Sequence, residues 1–239
     1  MTTVRVPGWV GRLLGPALID QVPRDHHQPD SQFRRRRIVS AVTLVVGATL
    51  LGLSLATDPG KFAFYPLTGS VAVVWVLGGL LSGPLHLGRA LRHGELRRPL
   101  ATPIVLGLAA GAVFVVGALV VREIDPIRSI IAHVLAHEQQ GNFALVAVLT
   151  LANGLAEEVF FRGALFAAIG RKYPVAISTV IYTLVTVATG NFMLVFAALL
   201  MGTLFALQRR ASGGILASMI THVIWSVVML LALPPIIGV

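Results

Sequence analysis

Long runs without charged residues alternate with short basic clusters along the chain. The runs hold 20, 27, 23, 18, 36 and 29 uncharged residues, counted in chain order from Arg37 to the C-terminus. Each of the first four is long enough for one helix across a bilayer, which needs about 20 residues. The 36-residue run is interrupted by Gly190-Asn191 and predicts a tight pair of helices. Pro234-Pro235 predicts the end of the last helix.

This pattern predicts an all-α fold, a polytopic membrane bundle of about seven transmembrane helices. The runs show no alternation of period two, so membrane strands are not indicated. The predicted spans are 38–57, 68–88, 101–121, 143–168, 174–189, 192–208 and 214–233. They divide the chain into a basic, cytosolic and mobile N-terminal tail (1–37), three helices with their loops (38–142) and a four-helix core (143–236).

The composition agrees with a membrane protein. Of the 239 residues, 12% are charged and 56% are hydrophobic, whereas soluble proteins average about 25% charged residues. A disordered chain and a protein that mainly binds nucleic acid are therefore both disfavoured. The chain contains no cysteine, so disulfides, thiolate metal sites and a cysteine nucleophile are excluded.

The basic residues predict the orientation, since cytoplasmic loops carry an excess of Lys and Arg. A cytoplasmic N-terminus places 15 of the 19 basic residues on that side, three outside and Arg162 within a span. We expect a multi-pass plasma membrane protein with no cleaved signal peptide and an external C-terminus. Arg34–Arg37 directly precede a span and read as a topology anchor, although such a cluster alone could also bind nucleic acid or anionic lipid.

Three charged residues lie inside the fourth span, where ionisable groups are costly and indicate function. Glu158 and Arg162 are four residues apart, so they share a helix face and can pair. Glu157 is turned about 100° away and has no local cation. It is a candidate general base for water activation. Two alternatives stay open: a structural cluster of salt bridges, and a proton or ion relay.

His222 is the one histidine deep inside a predicted span. At a depth similar to that of Glu157, it is a candidate partner for catalysis, and Ser226 lies one turn further on the same face. His133 and His137, followed by Glu138, have the i, i+4 spacing of metal ligands but lack the zincin order His-Glu-x-x-His. We therefore assign no metal site there.

The motif Glu157-Glu158-x3-Arg162 inside a membrane helix resembles the first motif of the CPBP intramembrane proteases. This family, also called Abi, includes CAAX prenyl endopeptidases and bacteriocin-processing or immunity proteins. The resemblance extends over roughly residues 143–230, through a short helical hairpin, to His222-x3-Ser226. It implies that residues 143–236 form the catalytic core.

The resemblance also implies roles for the site residues. Glu157 would activate water, Glu158 with Arg162 would support it, and His222 would polarise the substrate or bind a metal. A divalent metal such as zinc is implied, with His222 and Glu157 as ligands. The family's second motif, Phe-x3-His, departs here to Tyr182-x3-Thr186, and the following His-x3-Asn motif has Ser226 in place of asparagine.

The favoured interpretation is an intramembrane endopeptidase, a hydrolase of the CPBP type that cleaves a peptide or membrane-protein substrate in or beside the bilayer. Thr186 weakens it, because a threonine hydroxyl is neither a base near pH 7 nor a good zinc ligand. A noncatalytic membrane protein on the same scaffold, acting in immunity or partner binding, is the second interpretation, and a proton-coupled transporter is the third. No nucleic-acid partner is expected, and the sequence indicates no oligomeric state.

Overall fold

The structure, a computed structural model, describes residues 11, 14–24, 26–92 and 95–238, without the side chains of residues 92 and 137–139. The fold is an all-α helical bundle, as predicted. The helices are α1 (Asp30–Leu55), α2 (Phe64–Ser82), α3 (Ala101–Val121), α4 (Asp125–Gln139), α5 (Phe143–Ile169), α6 (Pro174–Val187), α7 (Phe192–Ser212) and α8 (Leu216–Ile237). A short π-helix (Gly15–Ile19) precedes them, and a two-stranded hairpin, β1 (Ala90–Arg92) and β2 (Glu95–Arg97), lies between α2 and α3.

Six helices in the described part of the chain are long and apolar enough to cross a membrane: α1, α2, α3, α5, α7 and α8. The seventh predicted span, α6, has 14 residues and rises about 21 Å at 1.5 Å per residue. A bilayer core is about 30 Å thick. The count of seven crossings is therefore not confirmed, and α6 is a short helix paired with α7.

Local sequence explains the break between α6 and α7. The amide oxygen of Asn191 accepts hydrogen bonds from the backbone N–H groups of Met193 and Leu194, which caps the start of α7. Gly190 adopts a positive φ of 67° that favours glycine. The hairpin predicted at Gly190-Asn191 is therefore confirmed.

Small residues set the closest helix contacts. A Cβ atom at Gly107 or Gly111 of α3 would come within 2.8 Å of Ile224 or Val228 of α8. These glycines let the two helices approach closely, as small residues do in membrane proteins. The tightest core lies around α2, α5 and α6, where Trp75 stacks on Phe160 with ring centroids 4.8 Å apart.

Three expectations about the chain outside the core need correction. Helix α8 continues through Pro234-Pro235 to Ile237. The two prolines keep a helical φ, and each leaves the carbonyl oxygen four residues earlier without its usual N–H donor. The predicted outer loop contains helix α4, which packs against the end of α8 through Ile131 and Leu135. Helix α1 begins at Asp30, eight residues before the predicted span.

The N-terminal segment is docked rather than free where the structure describes it. Val22 is buried, and its backbone N–H donates to the carbonyl oxygen of Ala211 at 3.1 Å. A guanidinium nitrogen of Arg24 donates to the carbonyl oxygen of Arg210 at 2.7 Å. The expectation of a mobile tail is therefore wrong for this segment, and residues 1–10 lie outside the described residues.

The segment docks at the end of the bundle where the basic clusters meet, which we call the basic end. It comprises the start of α1, the loop after α2, the loop after α5 and the turn between α7 and α8. Backbone hydrogen bonds join these parts: Ile215 N–H donates to the His86 carbonyl oxygen at 2.9 Å, and Arg89 N–H donates to that of Ser212 at 2.9 Å. Described basic residues from segments predicted on a common side of the membrane, such as Arg36, Arg89 and Arg209, thus lie at one end of the bundle.

Candidate active site

Glu157 and Glu158 lie where helix α5 changes its winding. The helix is an α-helix from Phe143 to Glu157, a π-helix from Glu158 to Leu165, and an α-helix again from Phe166 to Ile169. The sequence predicted one uninterrupted helix here. π-Helical turns are rare in proteins, and those that occur are frequently at functional sites.

The Glu158–Arg162 pair predicted from the i, i+4 spacing is present. Glu158 Oε1 and Arg162 Nη1 are 3.1 Å apart, and both side chains are buried. Arg162 Nη2 also donates to the carbonyl oxygen of Gly202 at 3.3 Å. The guanidinium lies over the rings of Tyr182 at 4.5 Å and Phe205 at 5.0 Å. Aromatic faces and one carboxylate thus surround this buried cation, which offsets part of its desolvation.

His222 contacts Glu158 and not Glu157, which had been the expected partner. Its Nδ1 lies 3.1 Å from Glu158 Oε1. An ionised carboxylate can only accept hydrogen bonds, so Nδ1 carries the proton of this hydrogen bond, and Nε2 is the ring nitrogen that does not contact Glu158. Phe205 stacks on the imidazole with centroids 4.7 Å apart. A Cβ atom at Gly154 would lie 3.3 Å from Nε2, so this nitrogen faces α5 one turn before Glu157.

Glu157 has a neutral partner instead of a cation. The Tyr182 hydroxyl donates a hydrogen bond of 2.6 Å to Glu157 Oε2. Within the described part of the chain, no Lys, Arg or His forms an ion pair with Glu157, as the sequence predicted. Glu157 is also partly exposed, whereas Glu158 is fully buried. The two neighbouring carboxylates therefore have different surroundings.

Tyr182 is the site residue that sequence reasoning missed. It had been noted only as a replacement of the phenylalanine in the family's second motif. The available signal was its hydroxyl, which a buried tyrosine normally hydrogen-bonds. Gly202 allows this arrangement, because a Cβ atom there would lie 3.0 Å from the Tyr182 ring.

The remaining two predicted site residues do not bond to the carboxylates. Thr186 is buried on α6, and its hydroxyl donates to the carbonyl oxygen of Tyr182 one turn earlier at 2.9 Å. Ser226 is buried one turn after His222, and the hydrogen bonds described for the chain include none between its hydroxyl and the imidazole. The predicted roles of both residues stay predictions.

Asn153 adds an acceptor on the same face of α5 as Glu157. Its Nδ2 donates to the carbonyl oxygens of Thr68 and Leu149, both at 3.0 Å. Because both contacts are to carbonyl oxygens, the amide orientation is determined and Oδ1 is the free end. Oδ1 is buried without a protein partner. Buried polar atoms are normally satisfied, so Oδ1 is available to a water or substrate group.

The donor set does not fit a zinc ion held by three protein ligands, the usual number in catalytic sites. Among the described residues, no three His, Asp or Glu side chains lie together as a metal site. Glu157 bonds to Tyr182, and the Thr186 hydroxyl bonds within its own helix. The side chains of His137 and Glu138 lie outside the described residues.

Residues 139–228 match the family model described as type II CAAX prenyl endopeptidase Rce1-like. This match supports the CPBP/CAAX protease family, which the motif of Glu157, Glu158 and Arg162 resembles. The match runs from the end of α4 into α8, so it includes every residue of the site described above. Helices α1 to α3 lie outside it. No curated protein and no solved structure matches the chain. The family supports an intramembrane endopeptidase as the general class of activity.

Proposed function

We propose that this protein is an intramembrane endopeptidase in which Glu157 is the general base that activates water. The observation that carries the proposal is the contrast between the two carboxylates. Glu158 is buried and bound by Arg162 and His222, whereas Glu157 is partly exposed and has one neutral donor. A carboxylate used as a base needs a free oxygen within reach of water.

The two oxygens of Glu157 have separate roles in this proposal. The described hydrogen bonds engage Oε2 only, which leaves Oε1 free to accept a proton from water. As the water oxygen bonds to the carbonyl carbon of the substrate, Glu157 takes that proton. The proton passes to the leaving amine when the C–N bond breaks, so the glutamate is regenerated.

His222 and Asn153 are the polar groups nearest to this reaction in the proposal. Glu158 holds His222 through Nδ1, so Nε2 faces α5 near Gly154. In its protonated form the imidazole would donate a hydrogen bond from Nε2 to the substrate carbonyl oxygen as negative charge develops there, without giving up its proton, while Glu158 stabilises the imidazolium. Asn153 Oδ1, without a protein partner, would orient the attacking water. No step requires a metal ion.

A second candidate function is a noncatalytic membrane protein on the same scaffold. The observation that favours it is Thr186, which stands where the resemblance calls for histidine. The Thr186 hydroxyl is occupied by a hydrogen bond within α6. If peptide cleavage requires the histidine that Thr186 replaces, this protein binds a partner without cleaving it.

The test compares wild type with Glu157→Gln, which keeps the shape of the side chain and removes the proton acceptor. The substrate is a fluorogenic peptide that ends in a prenylated Cys-aliphatic-aliphatic-X sequence, the class named by the matching family. Cleavage should fall by a factor of about 10² to 10⁴, as for loss of a general base. Proteomics of membrane fractions should show uncut proteins accumulating in cells with the variant.

Glu123→Gln is the matched control, because Glu123 is an exposed carboxylate paired with Arg122. It should leave cleavage unchanged. If wild type cleaves the peptide and Glu157→Gln cleaves it at the same rate, Glu157 is not the general base. Absence of any cleavage or accumulation with wild type would instead favour the noncatalytic interpretation.

A further inference from the structure

A large cavity lies at the basic end, apart from the candidate active site. Its volume is about 1350 Å³. One wall is formed by the docked N-terminal segment and the start of α1, and the other by the end of α5, by α6 and by α7. Neither Glu157, Tyr182 nor His222 lines it.

The cavity is strongly basic. Five arginines line it, Arg24, Arg36, Arg171, Arg209 and Arg210, against one described carboxylate, that of Asp30. Such an excess of one charge in a cavity with apolar walls attracts ions of opposite sign. The cavity therefore favours an anionic ligand.

Two of these arginines are buried, and their described partners are all neutral. Arg36 is fully buried and donates to Gln28, Ser82 and the carbonyl oxygen of Pro84. Arg209 is 5% exposed and donates to the carbonyl oxygen of Arg162 at 2.7 Å. Neither forms an ion pair within the described residues. Buried charges are normally paired, so both lack a counter-ion.

Two further observations show that the positive charge is concentrated here. Arg210 Nε is buried without a hydrogen-bond partner. His86 lies beyond the end of α2, and its pKa is lowered by burial and by the charges of Arg209 and Arg36. An anion among these groups would accept from the free donor and offset the repulsion between the cations.

The cavity also has an apolar side that reaches the outer surface of the helix bundle. Val180 of α6 and Leu199 of α7 line it, and these side chains are 53% and 48% exposed. Both helices belong to the apolar bundle. The lining thus runs from buried arginines to a hydrophobic groove between two helices. A ligand that fits both parts has an anionic head and an apolar tail.

We propose that this cavity binds an anionic phospholipid, with the phosphate among the arginines that line the cavity and an acyl chain in the groove between α6 and α7. Basic pockets between transmembrane helices bind such head groups in other membrane proteins. Arg209 joins the cavity to the site, because its side chain bonds the carbonyl oxygen of Arg162 in the π-helix. Bound lipid therefore stabilises the π-helix through the contact between Arg209 and the Arg162 carbonyl oxygen.

The test measures binding to the full chain in neutral detergent after delipidation. Thermal unfolding is followed with added phosphatidylglycerol, with phosphatidylcholine of the same acyl chains, and with inorganic phosphate. Phosphatidylglycerol should raise the melting temperature and the other two should not. Native mass spectrometry should show one retained anionic lipid per chain.

The variants are Arg24→Gln and Arg171→Gln, whose exposed side chains line the cavity. Each should weaken the response to phosphatidylglycerol about fivefold, which corresponds to about 1 kcal/mol per basic residue near the head group. Arg35→Gln is the control, because it removes the same charge from an exposed position outside the cavity. It should leave the response unchanged.

Three outcomes would overturn the proposal. Equal stabilisation by phosphatidylcholine would show a general lipid effect. Stabilisation by inorganic phosphate alone would show a site for free phosphate. Equal losses in all three variants would show attraction by overall charge. Because each readout is binding, the result does not depend on peptidase activity.

Discussion

Replacing Glu158 or Arg162 alone should lower the free energy of unfolding by more than half of the loss caused by replacing both residues. The charged atoms are 3.1 Å apart and both side chains are buried. At an effective dielectric constant of about 20, their attraction is about 5 kcal/mol. Removing one partner leaves the other charge buried and unpaired, which costs about 3 to 5 kcal/mol. Removing both leaves no stranded charge.

The informative variants are Glu158→Gln, Arg162→Met and the double variant. Glutamine keeps an oxygen where Glu158 Oε1 accepts from His222, so this change removes mainly charge. Methionine keeps an unbranched apolar side chain near the rings of Tyr182 and Phe205, over which the Arg162 guanidinium lies. Unfolding by SDS in mixed micelles gives the free energy of unfolding for each variant. The double variant should lose about 1 to 3 kcal/mol less than the sum of the singles.

Additive losses in the double variant would refute the pairing. The control cycle uses Arg122 and Glu123, whose side chains are 45% and 70% exposed at a distance of 2.8 Å. Exposed pairs contribute at most about 1 kcal/mol, so the single losses in that cycle should be small. If the coupling energy of the Arg122–Glu123 cycle were as large as that of the Glu158–Arg162 cycle, the assay would not distinguish buried from exposed pairs.

Two further predictions concern the second motif and the topology. Tyr182→Phe removes the hydrogen-bond donor to Glu157 and should lower peptide cleavage. Thr186→His restores the histidine of the resembled motif and should raise peptide cleavage or metal affinity. The absence of both effects would exclude a role for this part of α6. Reporter fusions at positions 130 and 239 should both report an external location. A cytoplasmic signal at either position would exclude seven crossings with a cytoplasmic N-terminus.

The long helices could be predicted because charges are costly in a hydrocarbon layer. Runs between charged residues therefore mark α1, α2, α3, α5, α7 and α8 to within about four residues, except that α1 begins at Asp30 and α2 ends at Ser82, six residues before the predicted end. Amphipathic helix α4 was missed because its charges interrupt the apolar pattern. The docking of the N-terminal segment was missed because it depends on backbone contacts such as Val22 to Ala211. Local sequence does not reveal such contacts between distant segments.

The site could be predicted only within a single helix. The i, i+4 spacing placed Glu158 beside Arg162 and left Glu157 without a cation. Which carboxylate His222 meets depends on the rotation and depth of α8 against α5. A single sequence does not contain that register, and His222 meets Glu158. The change to a π-helix at Glu158 has no recognised signal in these residues.

This chain has Tyr182 and Thr186 where the resembled motif has phenylalanine and histidine, and this difference changes which groups α6 can supply to Glu157. A protonated phenol donates a hydrogen bond at neutral pH but does not act as a base. In the proposed mechanism the Tyr182 hydroxyl therefore orients Glu157 through Oε2, and that carboxylate alone would accept the proton. In the resembled motif a histidine one turn further along α6 shares this work. If the protein is a peptidase, its pH dependence should follow Glu157 and His222 without a third base from α6.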